Sequence, residues 1–189
     1  MSTAVWVIIA IIVVAAIAAA VWFMQQKRKS DELKGRFGPE YERTVHATSS
    51  RREAEAELER RQERVDHLDI RELSAQDRGQ FANSWEQVQT QFVDDPSGSV
   101  ADADRLIGEV MMKRGYPVGD FEQRAADISV NHPDVVSNYR EAHRLALMSE
   151  RGEASTEDLR KAMVHYRSLF NDLLGEAEYA TETERRTRA

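Results

Sequence analysis

The run AVWVIIAIIVVAAIAAAVWF, residues 4 to 23, limits what this chain can fold into more than any other feature. It contains no charge, proline or glycine, and no charged side chain precedes Lys27. Wound as an α-helix at about 1.5 Å per residue, it reaches ~30 Å, the thickness of a bilayer's hydrocarbon core. Core helices of soluble proteins keep a polar face, and this run has none. The sequence therefore predicts a transmembrane helix over residues 4–24. Trp6 and Trp22 lie near its two ends, where interfacial aromatics are favoured. A cleaved signal peptide is the rival reading, with Ala18-Ala19-Ala20 as a small-residue cleavage site. Signal peptides, however, place a basic segment before an apolar stretch of about 7–15 residues. Met1-Ser2-Thr3 has no basic side chain, and the run here is longer.

The flanks set an orientation. Lys27, Arg28 and Lys29 follow the run directly, then Lys34 and Arg36. Under the positive-inside rule, the N-terminus lies outside and the remainder of the chain is cytoplasmic, giving a single-pass protein of the cytoplasmic membrane. Export, with the domain outside, is the alternative.

Beyond the run the chain is highly charged. Its 33 acidic and 26 basic residues give a net charge of −7, which argues against a nucleic-acid partner. Cysteine is absent, which excludes disulfides, thiol catalysis and thiolate metal sites. Residues 25–50 read as a juxtamembrane linker, interrupted at Gly35 and Gly38-Pro39. Residues 51–69, SRREAEAELERRQERVDHL with its preceding serine, are rich in helix formers and predict a charged helix. Its few apolar positions, Leu58, Val65 and Leu68, are too sparse for a sustained heptad repeat.

Residues 70–175 predict a bundle of about five amphipathic helices, so the fold class is all-α. Ser74 to Asp77 resembles a capping box, followed by Phe81, Trp85, Val88 and Phe92 on one stripe. A second helix, about 96–114, turns Val100, Ala103, Leu106, Ile107, Val110 and Met111 inward, with Gly115 at its C-terminal cap. Asp120 caps a third helix carrying Phe121, Ala125 and Ile128. Pro133 suits the first turn of a fourth, with Val136, Tyr139, His143, Ala146 and Leu147 on one side. Ser155 opens a fifth, with Leu159, Met163, Tyr166, Phe170 and Leu173 inward. The tail, residues 176–189, is polar and is expected to be disordered.

Several stretches also carry a resemblance. RGYPVGDFEQRAADISV and GEASTEDLRKAMVHYRSLF, together with LKGRFGPEY and REAEAELERR, resemble a family of uncharacterised bacterial proteins. Its members have a short N-terminal hydrophobic span and a helical C-terminal domain. The resemblance implies that architecture and brings no activity, ligand or catalytic residue.

Chemistry-bearing constellations are sparse. His143 and His165 are the best pair among five histidines, but no HxxxH or ExxH spacing supplies further metal ligands. Asp94, Asp95, Asp102 and Asp104 lack the calcium-loop spacing. Ser97-Gly98-Ser99 is not a nucleophile elbow and fits a helix start. The reading assigns no catalytic, metal or cofactor residue. It assigns a membrane anchor to Trp6, Trp22, Lys27, Arg28 and Lys29. The connector RGYPVGDFEQR offers two readings, aromatics that lock a loop onto the bundle or a recognition surface of Arg114, Tyr116, Pro117, Phe121 and Arg124. The function expected is a membrane-tethered, non-enzymatic module that binds another protein. A ligand-binding or enzymatic helical domain is the alternative, and the oligomeric state is left open.

Overall fold

A computed structural model describes residues 3–175. The side chains of residues 3–11 and of Ala15 lie outside the described set, as does the tail 176–189 for which disorder was expected. Eight α-helices and no strand occur among the described residues: α1 Thr3–Phe37, α2 Pro39–Ala47, α3 Arg51–Asp66, α4 Ala75–Gln91, α5 Pro96–Arg114, α6 Phe121–Asn131, α7 Val136–Glu150 and α8 Thr156–Leu174. The all-α class is as expected. The chain divides into two compact units, Met1–Leu58 and Glu59–Ala189, with the division inside α3.

In the first unit, α1 runs on through Gly35 and the first half of the expected linker. It stops at Gly38, whose φ of 47° an L side chain rarely adopts. Pro39 then opens α2, where its missing N–H costs nothing. The buried apolar residues are Leu33, Phe37, Tyr41, Ala54 and Leu58. Among the described residues, no helix is long and apolar enough to cross a membrane, so the span expected over 4–24 is not supported at that level. Trp6 falls among the side chains outside the described set. From Ile12 to Lys29, every described side chain is exposed, including Ile17, Val21, Trp22 and Phe23.

The second unit is the expected helical bundle. α8 packs on α5 and α7, and α4 lies against α5. Its core runs from Leu73 through Trp85, Leu106, Ile107 and Tyr139 to Phe170 and Leu174. Trp85 stacks on Phe170 at 4.7 Å between ring centroids. Ser74, Asp120 and Ser155 each accept the N–H three residues on, and Ser155 with Asp158 completes a reciprocal capping box. Gly115 takes φ 98° to cap α5, and a Cβ there would meet the Asp69 carbonyl oxygen at 2.2 Å.

Three local expectations need correction. Asp95, rather than the serines at 97 and 99, caps α5 by accepting from Gly98 N–H. α7 begins at Val136, because the His132 carbonyl first accepts from Val135 and Val136 in a turn that contains Pro133. Its inward face holds Ala142 and Leu145, while Leu147 is exposed, so the stripe lies one position off the expected side.

Candidate functional site

The least expected chemistry lies in the first unit, in segments read as a linker and a solvated helix. Glu55 is only 5% exposed. Its Oε1 accepts from the Ser30 hydroxyl at 2.6 Å, the Tyr41 hydroxyl at 2.8 Å and Arg51 Nε at 3.1 Å. Arg51 also donates to the Tyr41 oxygen at 2.8 Å and to the Ser30 oxygen. One residue from each of α1 and α2 thus meets two from α3 around a single carboxylate. Burial pushes the Glu55 carboxyl up, but the bonds from Ser30, Tyr41 and Arg51 outweigh it and hold the pKa below the usual value. Glu55 is therefore an ion at neutral pH, with its charge answered by Arg51.

Beside this network is an open groove of about 790 Å³. Trp22 and Phe23 line it at the end of the apolar run. Lys27, Lys34, Arg51 and Arg52 supply cations, and Asp31 and Glu55 supply carboxylates. Lys34 pairs with Glu42 at 3.6 Å and lies 5.2 Å from the Tyr41 ring centroid. Among the described residues, Lys27 and Arg52 have no hydrogen-bond or ion-pair partner. Of the anchor residues, Trp22, Lys27, Arg28 and Lys29 are all exposed, and Trp22 and Lys27 line the groove.

In the second unit the 114–124 connector is held mainly from within. Tyr116 is 2% exposed, and its hydroxyl accepts from Asn131 at 3.0 Å. Arg114 donates to the Leu173 carbonyl at 3.0 Å, at the C-terminal end of α8. Phe121 stacks on His143 at 3.6 Å and tilts against Tyr139. Arg124 donates to Asp104 at 3.3 Å and lies over the Tyr139 ring. These contacts fit the loop-locking reading for Arg114, Tyr116, Phe121 and Arg124. Pro117, Val118 and Gly119 are the exposed tip.

A polar cluster lies beneath the connector. Asp104 accepts from the Tyr166 hydroxyl at 3.1 Å and from Arg124. Burial, with the Asp104 charge behind it, raises the pKa of both Tyr139 and Tyr166 far beyond the ordinary phenol range. Both stay neutral at physiological pH. His143 and His165 do not form a site: the first stacks on Phe121, and the second bonds the Asn138 side chain at 3.0 Å. No group of three metal-ligating side chains occurs among the described residues. Asp102 pairs with Arg105 and Asp95 is a cap, which disperses the acidic cluster.

Sequence reasoning missed the Glu55 network. One signal was present: Ser30, Leu33 and Phe37 lie at i, i+3 and i+7, the spacing of a helix face, inside the presumed linker. No known protein family matches the chain, and neither curated proteins nor solved structures yield a match.

Proposed function

We propose that this is a membrane-tethered adaptor: the apolar part of α1 lies in the cytoplasmic membrane, and the bundle binds another protein on the cytoplasmic side. The observation that carries the reading is the exposure of Ile12, Val14, Ile17, Val21, Trp22 and Phe23 on the stretch of α1 that has no polar face. A soluble chain does not leave so much contiguous apolar surface in water. The cations at 27–29 begin where the apolar residues end and favour a cytoplasmic placement. Tethering confines the bundle to two dimensions and raises its effective concentration for partners on the same membrane.

The non-enzymatic reading rests on the second unit. In its Tyr-Asp-Arg cluster Tyr166 and Arg124 both donate to Asp104, and burial raises the pKa of both tyrosines. The partner surface we favour is the exposed tip Pro117-Val118, which Tyr116 and Phe121 fix from below. Preorganised loops bind with less entropic loss than mobile ones.

Topology gives the first test. The full chain with a C-terminal epitope is expressed in bacterial spheroplasts, treated with protease and blotted. Full protection of the epitope until lysis is expected; its loss in intact spheroplasts would place the bundle outside and end the cytoplasmic reading. For the partner surface, Val118→Asp should lower the yield of crosslinked partner at unchanged melting temperature. An unchanged yield would remove the tip from the interface.

A further inference from the structure

We infer that the groove at the foot of the α1 apolar run binds the phosphate headgroup of an anionic phospholipid. The inference rests on the membrane-tethered reading above and goes beyond it by assigning a built site rather than diffuse attraction. Three observations converge on it. The first is depth. Lys27 follows Phe23 by four residues, about 6 Å along the helix, and Lys34 lies about 10 Å further. The headgroup layer is roughly 5–7 Å thick on each side of the hydrocarbon core, so the upper part of the groove falls at lipid phosphates when Trp22 and Phe23 lie at the interface.

The second observation is charge. The whole chain carries −7, yet the groove lining holds Lys27, Lys34, Arg51 and Arg52 against Asp31 and Glu55. Glu55 is already answered by Arg51, Ser30 and Tyr41. Lys27 and Arg52 reach the groove from two different helices, with no partner among the described residues. A phosphate diester between them would receive a lysine ammonium from one wall and an arginine fork from the other. The third observation is the adjoining wall of Trp22 and Phe23, which suits the first methylenes of an acyl chain. A soluble phosphate has no use for that wall, which favours the lipid as occupant. The Glu55 network braces the α3 wall and thereby fixes where Arg52 projects.

The test uses the full chain in a neutral detergent, with lipid adducts counted by native mass spectrometry during titration with phosphatidylglycerol or phosphatidylcholine. Phosphatidylglycerol adducts should form at lower lipid concentration. Arg52→Gln and Lys27→Gln should each weaken them about fivefold. Arg43→Gln, an equal charge change at an exposed residue of α2 outside both the anchor and the groove lining, should change binding less than twofold. Equal loss in Arg43→Gln and Arg52→Gln would reduce the effect to diffuse surface charge and overturn the site. Displacement of the lipid by free glycerol phosphate at matched concentration would likewise overturn the choice of lipid as occupant. Flotation of the same proteins on phosphatidylcholine vesicles separates this from the parent reading. A chain that floats but shows no Arg52 dependence keeps its anchor and loses the site; one that does not float loses the anchor itself.

Discussion

The two units of this chain differ in how much apolar burial surrounds their buried polar groups. The second builds its interior from apolar side chains at helical spacing, with Trp85 on Phe170 and eight buried residues from α8 alone. The first buries few apolar residues and arranges them beside a carboxylate bonded from two neighbouring helices. Apolar burial tolerates small displacements, because it scales with area and has no direction. The Glu55 network does not: each bond has a required geometry, and losing one partner leaves another desolvated. The second unit should therefore lose stability in proportion to removed volume, and the first should respond to single polar atoms.

Phe170→Ala should show the largest effect, ~3–5 kcal/mol from lost burial, lost stacking on Trp85 and the cavity left behind. Denaturant unfolding followed by Trp85 fluorescence would measure it. A loss below ~1 kcal/mol would mean the core is loosely packed there. Glu55→Ala comes next, at about 2–3 kcal/mol, since it removes the shared acceptor of Ser30, Tyr41 and Arg51 and leaves the two hydroxyls only each other to donate to, at 3.2 Å. Hydrogen exchange should show the loss in residues 30–58 while α5, α7 and α8 keep their protection. Equal loss in both units would refute the separation drawn here.

Removing the reciprocal cap by Ser155→Ala should cost about 1 kcal/mol, seen as a lower melting temperature of the second unit. The smallest effects come from pH. Burial lowers the pKa of His143, so the unfolded chain binds a proton before the folded one does. Stability from this group is complete above the ordinary value of about 6.5 and declines as pH falls from there towards the lowered folded value. His143→Phe keeps an aromatic against Phe121 and should flatten that part of the pH profile; an unchanged slope would assign it to another group. Glu55, also lowered, acts in a more acidic window: its contribution is complete above a carboxyl's ordinary pKa and is lost as pH falls through the folded value.

Much of the second unit was legible in the sequence because its determinants are local. Ser74, Asp120, Ser155 and Gly115 act on backbone groups within a few residues, and the inward stripes of α5 and α8 follow from spacing alone. Where a neighbouring element decides, local reading failed. Pro133 suits a first turn, yet the chain spends that turn wrapped on the His132 carbonyl. Tyr116 and Arg124 stay open between a locked loop and a recognition surface until Asn131, Asp104 and Tyr139 are brought to them. Glu55 was the hardest case. In a helix as charged as α3, a glutamate is expected in water, and only Ser30 and Tyr41, from helices placed in a supposed linker, make its burial tolerable.

The central claim is that the apolar part of α1 belongs in a bilayer, and alkaline carbonate extraction of membranes from cells expressing the full chain tests it most directly. The account predicts that the protein stays in the membrane pellet and that replacing Ile17 and Val21 together with glutamate releases it. Release of the unaltered chain into the supernatant would contradict the account.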